Sequence, residues 1–304
     1  MSEAPENPAA ATPVPTRRSR RAFTPAWANQ AAVRATMASL ALCLAMGGVA
    51  LAGVRLPPAL SWLEGLTCVV AGVAACIVLT RRLPVQNVVG GGLVLLGLVF
   101  MTCALSARTG VPLGELEYTS RLGPRVLGLV PVTAPFLWVA LMLSGREAAR
   151  LMLRSLRREV YYGYYLLLAA SLLVFLAALV LEPFAVTPEA GGWWAWTRAP
   201  SVSWQGIPWG SLGMWFLGAA FMLTVATAYL VPKRPIPTTP TLHGGLIWLG
   251  LVLWFALGDL RRGLWLPAAV GIGTSLIVAF LVWRGYQISL AAVSRRADAE
   301  AEAG

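Results

Sequence analysis

The sequence is poor in the residues that hold metals and redox cofactors. Its single histidine is His243, and it has only 13 acidic residues in 304. Di-iron sites and bis-histidine haem need several histidine or carboxylate ligands, so neither is expected. No strand-like run leads into G-x-G-x-x-G, which argues against a bound flavin or nicotinamide, and Gly90-Gly91-Gly92 lacks the Gly-Lys-Ser/Thr of a phosphate loop. The four cysteines, Cys43, Cys68, Cys76 and Cys103, contain no C-x-x-C pair and fall in apolar runs, where they read as small core residues rather than a disulfide framework or zinc site. A Ser-His-Asp hydrolase would have to rely on His243, with no acidic residue near it. Neither cofactor nor metal is expected, and any chemistry would run on carboxylates, water and aromatic rings.

Charge is equally scarce. Only 12% of residues are charged and 58% are hydrophobic, with a mean hydropathy of +0.69. These values lie outside the range of a soluble domain and indicate a polytopic membrane protein. The net charge of +11 comes mainly from arginines between apolar runs, so it reads as a topology signal facing anionic lipid and not as a nucleic-acid footprint. Eight apolar runs, at 35–54, 59–79, 88–107, 126–143, 164–181, 211–231, 242–258 and 264–283, are each near the length that crosses a bilayer. Their uniform apolarity excludes the alternation of a barrel, leaving an all-α helix bundle of about eight spans. With the N-terminus in the cytoplasm, 17 of the 24 basic residues lie inside, which supports both termini being cytoplasmic and a multi-pass protein of the inner (cytoplasmic) membrane. Residues 1–34 read as a disordered basic tail and not a cleaved signal, 35–285 as the bundle, and 286–304 as a polar tail. No fixed-period repeat is apparent.

Carboxylates gather toward one face on this topology: Glu115, Glu117, Glu182, Glu189 and Asp259, with Glu64 about a turn inside helix 2. Glu147 and Glu159, among arginines at 145–160, read as solvated ion pairs on an interfacial helix. Asp259 reads as a turn residue paired with arginine, and Tyr161, Tyr162, Tyr164 and Tyr165 as an anchoring belt. Between two spans lies Arg108-Thr109-Gly110-Val111-Pro112-Leu113-Gly114-Glu115-Leu116-Glu117-Tyr118, where Glu117 and Tyr118 make the preferred acid and hydrogen-bonding pair. Only one of Glu115 and Glu117 is expected to face a pocket. A carboxyl held in an apolar wall keeps its proton available for donation, although balance by Arg108, Arg121 or Arg125 would make these plain loop charges. A second segment, Glu182 to Gly210, holds Trp193, Trp194, Trp196, Trp204 and Trp209. These rings suit either an interfacial belt or the mouth of a site for a long apolar ligand, where they would face a transient carbocation.

Thr109-Gly110-Val111-Pro112-Leu113-Gly114-Glu115-Leu116-Glu117-Tyr118-Thr119, then Leu122-Gly123-Pro124, Val130-Pro131 and Trp138, resemble the signature of the bacterial and archaeal carotenoid-biosynthesis membrane family. A second block, Glu182-Pro183, Trp194-x-Trp196 and Gly206-Ile207-Pro208, resembles that family's further elements in the same order. Departures stand at Cys103, Ser106, Leu113, Leu116 and Ser211-Leu212. The family includes bisanhydrobacterioruberin hydratase and carotenoid 1,2-hydratase enzymes. The resemblance implies a cofactor-free hydratase acting on an acyclic carotenoid within the bilayer. In it Glu117 or Glu115 would protonate the terminal alkene and Trp194 and Trp196 stabilise the cation. Glu182 or Tyr118 would position the water, and Trp138, Trp193 and Trp204 would help line the site. A carotene cyclase or other isoprenoid enzyme, and a non-catalytic carotenoid carrier or assembly subunit, are the competing expectations.

Overall fold

A computed structural model describes residues 26–54, 56–57, 60–186, 192–197, 202–231 and 239–302. Most of the basic tail, Glu189, Lys233 and Arg234 lie outside the described residues. Eight α-helices run through the described residues: α1 Ala26–Ala52, α2 Trp62–Leu79, α3 Val85–Thr109, α4 Thr133–Met152, α5 Tyr162–Val186, α6 Trp209–Leu230, α7 His243–Arg261 and α8 Trp265–Glu302. All but α4 are long and apolar enough to cross a membrane, so the chain is an all-α, multi-pass membrane bundle.

Helix α4 is the exception because Arg146, Glu147 and Arg150 lie within its 20 residues, and it is also the core. It contacts α2, α3, α5, α7 and α8, and nearly every residue from Ala134 to Leu151 is buried. The apolar run expected at 126–143 does not begin as a helix. Arg125–Val126 (β2) and Val130–Pro131 (β3) form a small antiparallel hairpin instead. Leu127 and Gly128, both with positive φ, make its turn, and a run of hydropathy alone cannot register that backbone reversal. The helix therefore starts at Thr133 and carries Arg146, Glu147 and Arg150 into the protein.

Those charges are not the solvated pairs expected from the sequence. Glu147 is 8% exposed. Its Oε2 accepts from Arg82 at 2.8 Å and its Oε1 from Arg150 and Arg146 at 3.1 and 3.4 Å. Arg146 also donates to the carbonyl of Leu230 at 3.1 Å, and Arg81 donates to Asn29, Thr239 and Thr241. This network ties the α2–α3 turn to α4 and the end of α6. Burying so many guanidinium groups requires such compensation.

The glycine run Gly90-Gly91-Gly92 serves close helix packing, as expected. A Cβ on Gly90 would stand 2.8 Å from Cε1 of Tyr229 on α6, and one on Gly92 would stand 3.3 Å from Sγ of Cys76 on α2. At the opposite end of the bundle from the Glu147 network, three two-stranded pairings close over the helix ends. They are β2–β3, β1 (Leu116–Tyr118) with β4 (Trp194–Trp196), and β5 (Ser203–Trp204) with β6 (Ile207–Pro208).

Candidate active site

Strand pairing brings the two sequence blocks together. β1 and β4 run antiparallel with Leu116 opposite Trp196, Glu117 opposite Ala195 and Tyr118 opposite Trp194. Alternate strand residues point to opposite faces, and here Leu116 and Tyr118 are buried while Glu117 is exposed. Side chains two residues apart share a face, so Glu115 lies outward with Glu117. Glu115 accepts from the Thr197 hydroxyl at 3.2 Å. The expectation that one of this pair faces a pocket therefore fails on geometry.

Glu182, 2% exposed, is the carboxylate that points inward. Its Oε2 accepts from Trp194 Nε1 at 3.0 Å and its Oε1 from Trp215 Nε1 at 2.9 Å. Each oxygen is thus oriented by one indole. Trp138, from α4, stacks on Trp215 with ring centroids 3.3 Å apart and planes at 14°. Tyr118 meets Trp194 edge-on at 5.7 Å. Burial pushes the Tyr118 phenol well above the ordinary tyrosine value, and it remains a neutral hydroxyl hydrogen-bonded with Cys103.

The local backbone at Glu182 follows from Pro183. Proline inside a helix removes the amide that would donate to the carbonyl four residues earlier, here Leu179. Trp204 Nε1 supplies the missing donor at 2.9 Å. Trp204 therefore secures α5 one turn from Glu182 and does not line the pocket around it.

An apolar groove of about 280 Å³ reaches this site between α3 and α6. Thr102, Pro112, Met214, Trp215, Phe221 and Met222 form most of its wall. Leu217 and Phe221 stand at its outer edge, 58% and 61% exposed on the flank of the bundle. Trp215 belongs to both the groove and the Glu182 cluster, so an apolar chain lying in the groove would end against the ring that orients the carboxylate.

Glu64 is a second buried carboxylate, and the sequence reading gave it no role. Arg121 grips both its oxygens, Nε to Oε2 at 3.0 Å and Nη2 to Oε1 at 3.2 Å, while Trp193 Nε1 donates to Oε2 at 2.7 Å. Trp193 and Trp194 therefore serve different acids. The signal was available as an acid inside a membrane-length apolar run, which ordinarily marks a site. Trp215 carried no comparable signal, because it lies in a run indistinguishable from any other span. Trp196 is half-buried and packs over Gly114, where a Cβ would stand 2.9 Å from its Cζ3. Asp259, read from the sequence as a turn residue beside arginine, lies in the last turn of α7, fully buried, with Arg262 as its charged neighbour.

Residues 63–278 match the family model described as "Carotenoid biosynthesis protein". Among curated proteins, bisanhydrobacterioruberin hydratase of Haloarcula japonica is 34% identical over 116 residues, which cover 38% of this chain and 36% of that protein. The chain thus spans about a third of the length of this curated relative. No solved structure matches.

Proposed function

The chain belongs to the carotenoid biosynthesis protein family, and from that membership we propose that it is an integral-membrane hydratase adding water to the terminal C=C bond of an acyclic carotenoid, lycopene-like or longer. The observation that carries this reading is the buried Glu182, held by two indole N–H groups, one of them from Trp215, which also lines an apolar groove that opens on the flank of the bundle.

The substrate enters from the bilayer with one end in the groove and its gem-dimethyl terminus against Trp215. Glu182 gives its proton to the less substituted alkene carbon, and the π electrons form the new C–H bond, leaving a tertiary cation. The faces of Trp194, Trp215 and Trp138 stabilise that charge through their quadrupoles. A water molecule oriented by the Tyr118 hydroxyl adds its oxygen to the cation, and the proton it releases returns to the Glu182 carboxylate. Alkene and water become a tertiary alcohol, with no oxidation or reduction. This arrangement favours Glu182 as the acid over the exposed Glu117 and Glu115. On this reading the cation is faced by Trp194 and Trp215, with Trp138 stacked behind Trp215, while Trp193, Trp196 and Trp204 have a supporting part.

The test is expression in a lycopene-accumulating bacterium with pigment analysis by liquid chromatography and mass detection. The wild type adds the mass of one or two waters. Glu182→Gln abolishes that product while the protein remains in the membrane, and Glu117→Gln retains it. Hydration by Glu182→Gln would remove this residue from the acid role. An isomer of unchanged mass would replace the hydratase reading with cyclisation, and unaltered pigment on both lycopene and longer carotenoids would favour a carrier.

A further inference from the structure

A second cavity, of about 330 Å³, lies among the end of α1, the start of α2 and the end of α7, on the side of Trp193 away from Glu182. Three guanidinium groups reach its wall, those of Arg121, Arg261 and Arg262, against one carboxylate, Glu64. Each arginine is held in place by a contact of its own. Arg121 is forked onto Glu64. Arg261 packs against the end of α1, where a Cβ on Gly53 would stand 2.9 Å from its Nε. Arg262 donates Nη1 to the Phe184 carbonyl at 2.7 Å and lies 4.5 Å over that ring.

Among the described residues, the acids facing these arginines are Glu64 and Asp259, two carboxyl groups for three guanidinium groups, so positive charge is in surplus there. The remaining wall is apolar, formed by Met46, Val49, Val54 and Leu56. Val54, 58% exposed, and nearby Leu51, 43% exposed, continue that apolar surface to the outside of the bundle. Arginine forks match the oxygen spacing of a phosphate, and a singly charged phosphodiester balances the surplus.

We propose that this cavity binds a phosphate group through Arg261 and Arg262, with Arg121 completing the electrostatic field, and that the ligand is either the phosphodiester of an anionic lipid or a free phosphate anion. A lipid would place its acyl chain along the apolar flank of α1. A free anion would use the arginines alone. The site is separate from the Glu182 groove and does not depend on the hydratase reading.

The experiment uses the full chain in a phosphate-free maltoside detergent, titrated by calorimetry with short-chain phosphatidylglycerol and, separately, with inorganic phosphate. Saturable binding of at least one at a stoichiometry of one, weakened at least tenfold by Arg261→Gln and by Arg262→Lys and unchanged by Arg284→Gln, is the expected result. Binding of the lipid alone identifies a headgroup site, whereas comparable binding of both identifies a free-anion site. No saturable binding of either ligand to the wild type, or binding that both cavity variants leave intact, overturns the proposal. Arg261 is exposed, and its replacement leaves the Arg262–Phe184 bond in place, so Arg261→Gln alone decides the outcome if Arg262→Lys does not fold.

Discussion

Trp204→Phe removes the one indole donor that answers the carbonyl of Leu179, while keeping an aromatic ring in place. A carbonyl left without a partner costs about 1–3 kcal/mol when water is fully excluded. Trp204 is half-buried, so the lower end applies, about 1 kcal/mol, or roughly 2–4 °C in the unfolding midpoint of a chain this size. The cause assigned here is the proline at 183, which makes a sharper prediction. In a Pro183→Ala background the new amide at position 183 can donate to Leu179 within the helix, and Trp204→Phe should then cost close to nothing. Thermal unfolding of the four proteins in detergent, followed by tryptophan fluorescence and circular dichroism, measures the coupling. An equal loss in both backgrounds would show that Trp204 stabilises α5 by ring packing alone and would refute the account of the helix end.

Other outcomes follow from the same geometry. Glu147→Gln leaves Arg82, Arg146 and Arg150 without their shared carboxylate, and breaking a buried ionic cluster costs about 3–5 kcal/mol. The yield of monodisperse protein after detergent extraction should fall sharply, which Glu159→Gln, at an exposed position, would not cause. Tyr118→Phe removes the hydroxyl proposed to orient water but not the ring edge on Trp194. Product formation in the pigment assay should drop by about 10²-fold with unchanged membrane abundance.

The apolar runs made the bundle legible because length and hydropathy are local properties of the chain. They failed at 126–132, where Leu127 and Gly128 reverse the backbone, and at 145–152, where charges enter a helix that only distant partners make tolerable. Arg82 lies 65 positions from Glu147, and no local window joins them. The same distinction governs the site. Glu182 stood out as an acid beside a cluster of tryptophans, and Tyr118 as the polar end of a conspicuous loop. Which glutamate faces inward depended on the β1–β4 register, a pairing across more than 70 residues. Glu64 meets Arg121 at a separation of 57 and Trp193 at 129, so an intramembrane acid was visible but its partners were not.

Trp193 and Trp194 are consecutive, yet one indole reaches Glu64 and the next reaches Glu182. Adjacent residues of extended chain diverge to opposite sides, so this short stretch works like a two-pronged plug seated between two sockets. A slip of one position would carry Trp194 into the Glu64 socket and present Ala195 to the Glu182 socket, leaving Glu182 without that indole. Length changes upstream of Trp193 can be absorbed only where the chain still arrives in phase, and a lineage exploring new substrates is freer to alter the groove wall on α6 than the spacing that seats the two rings.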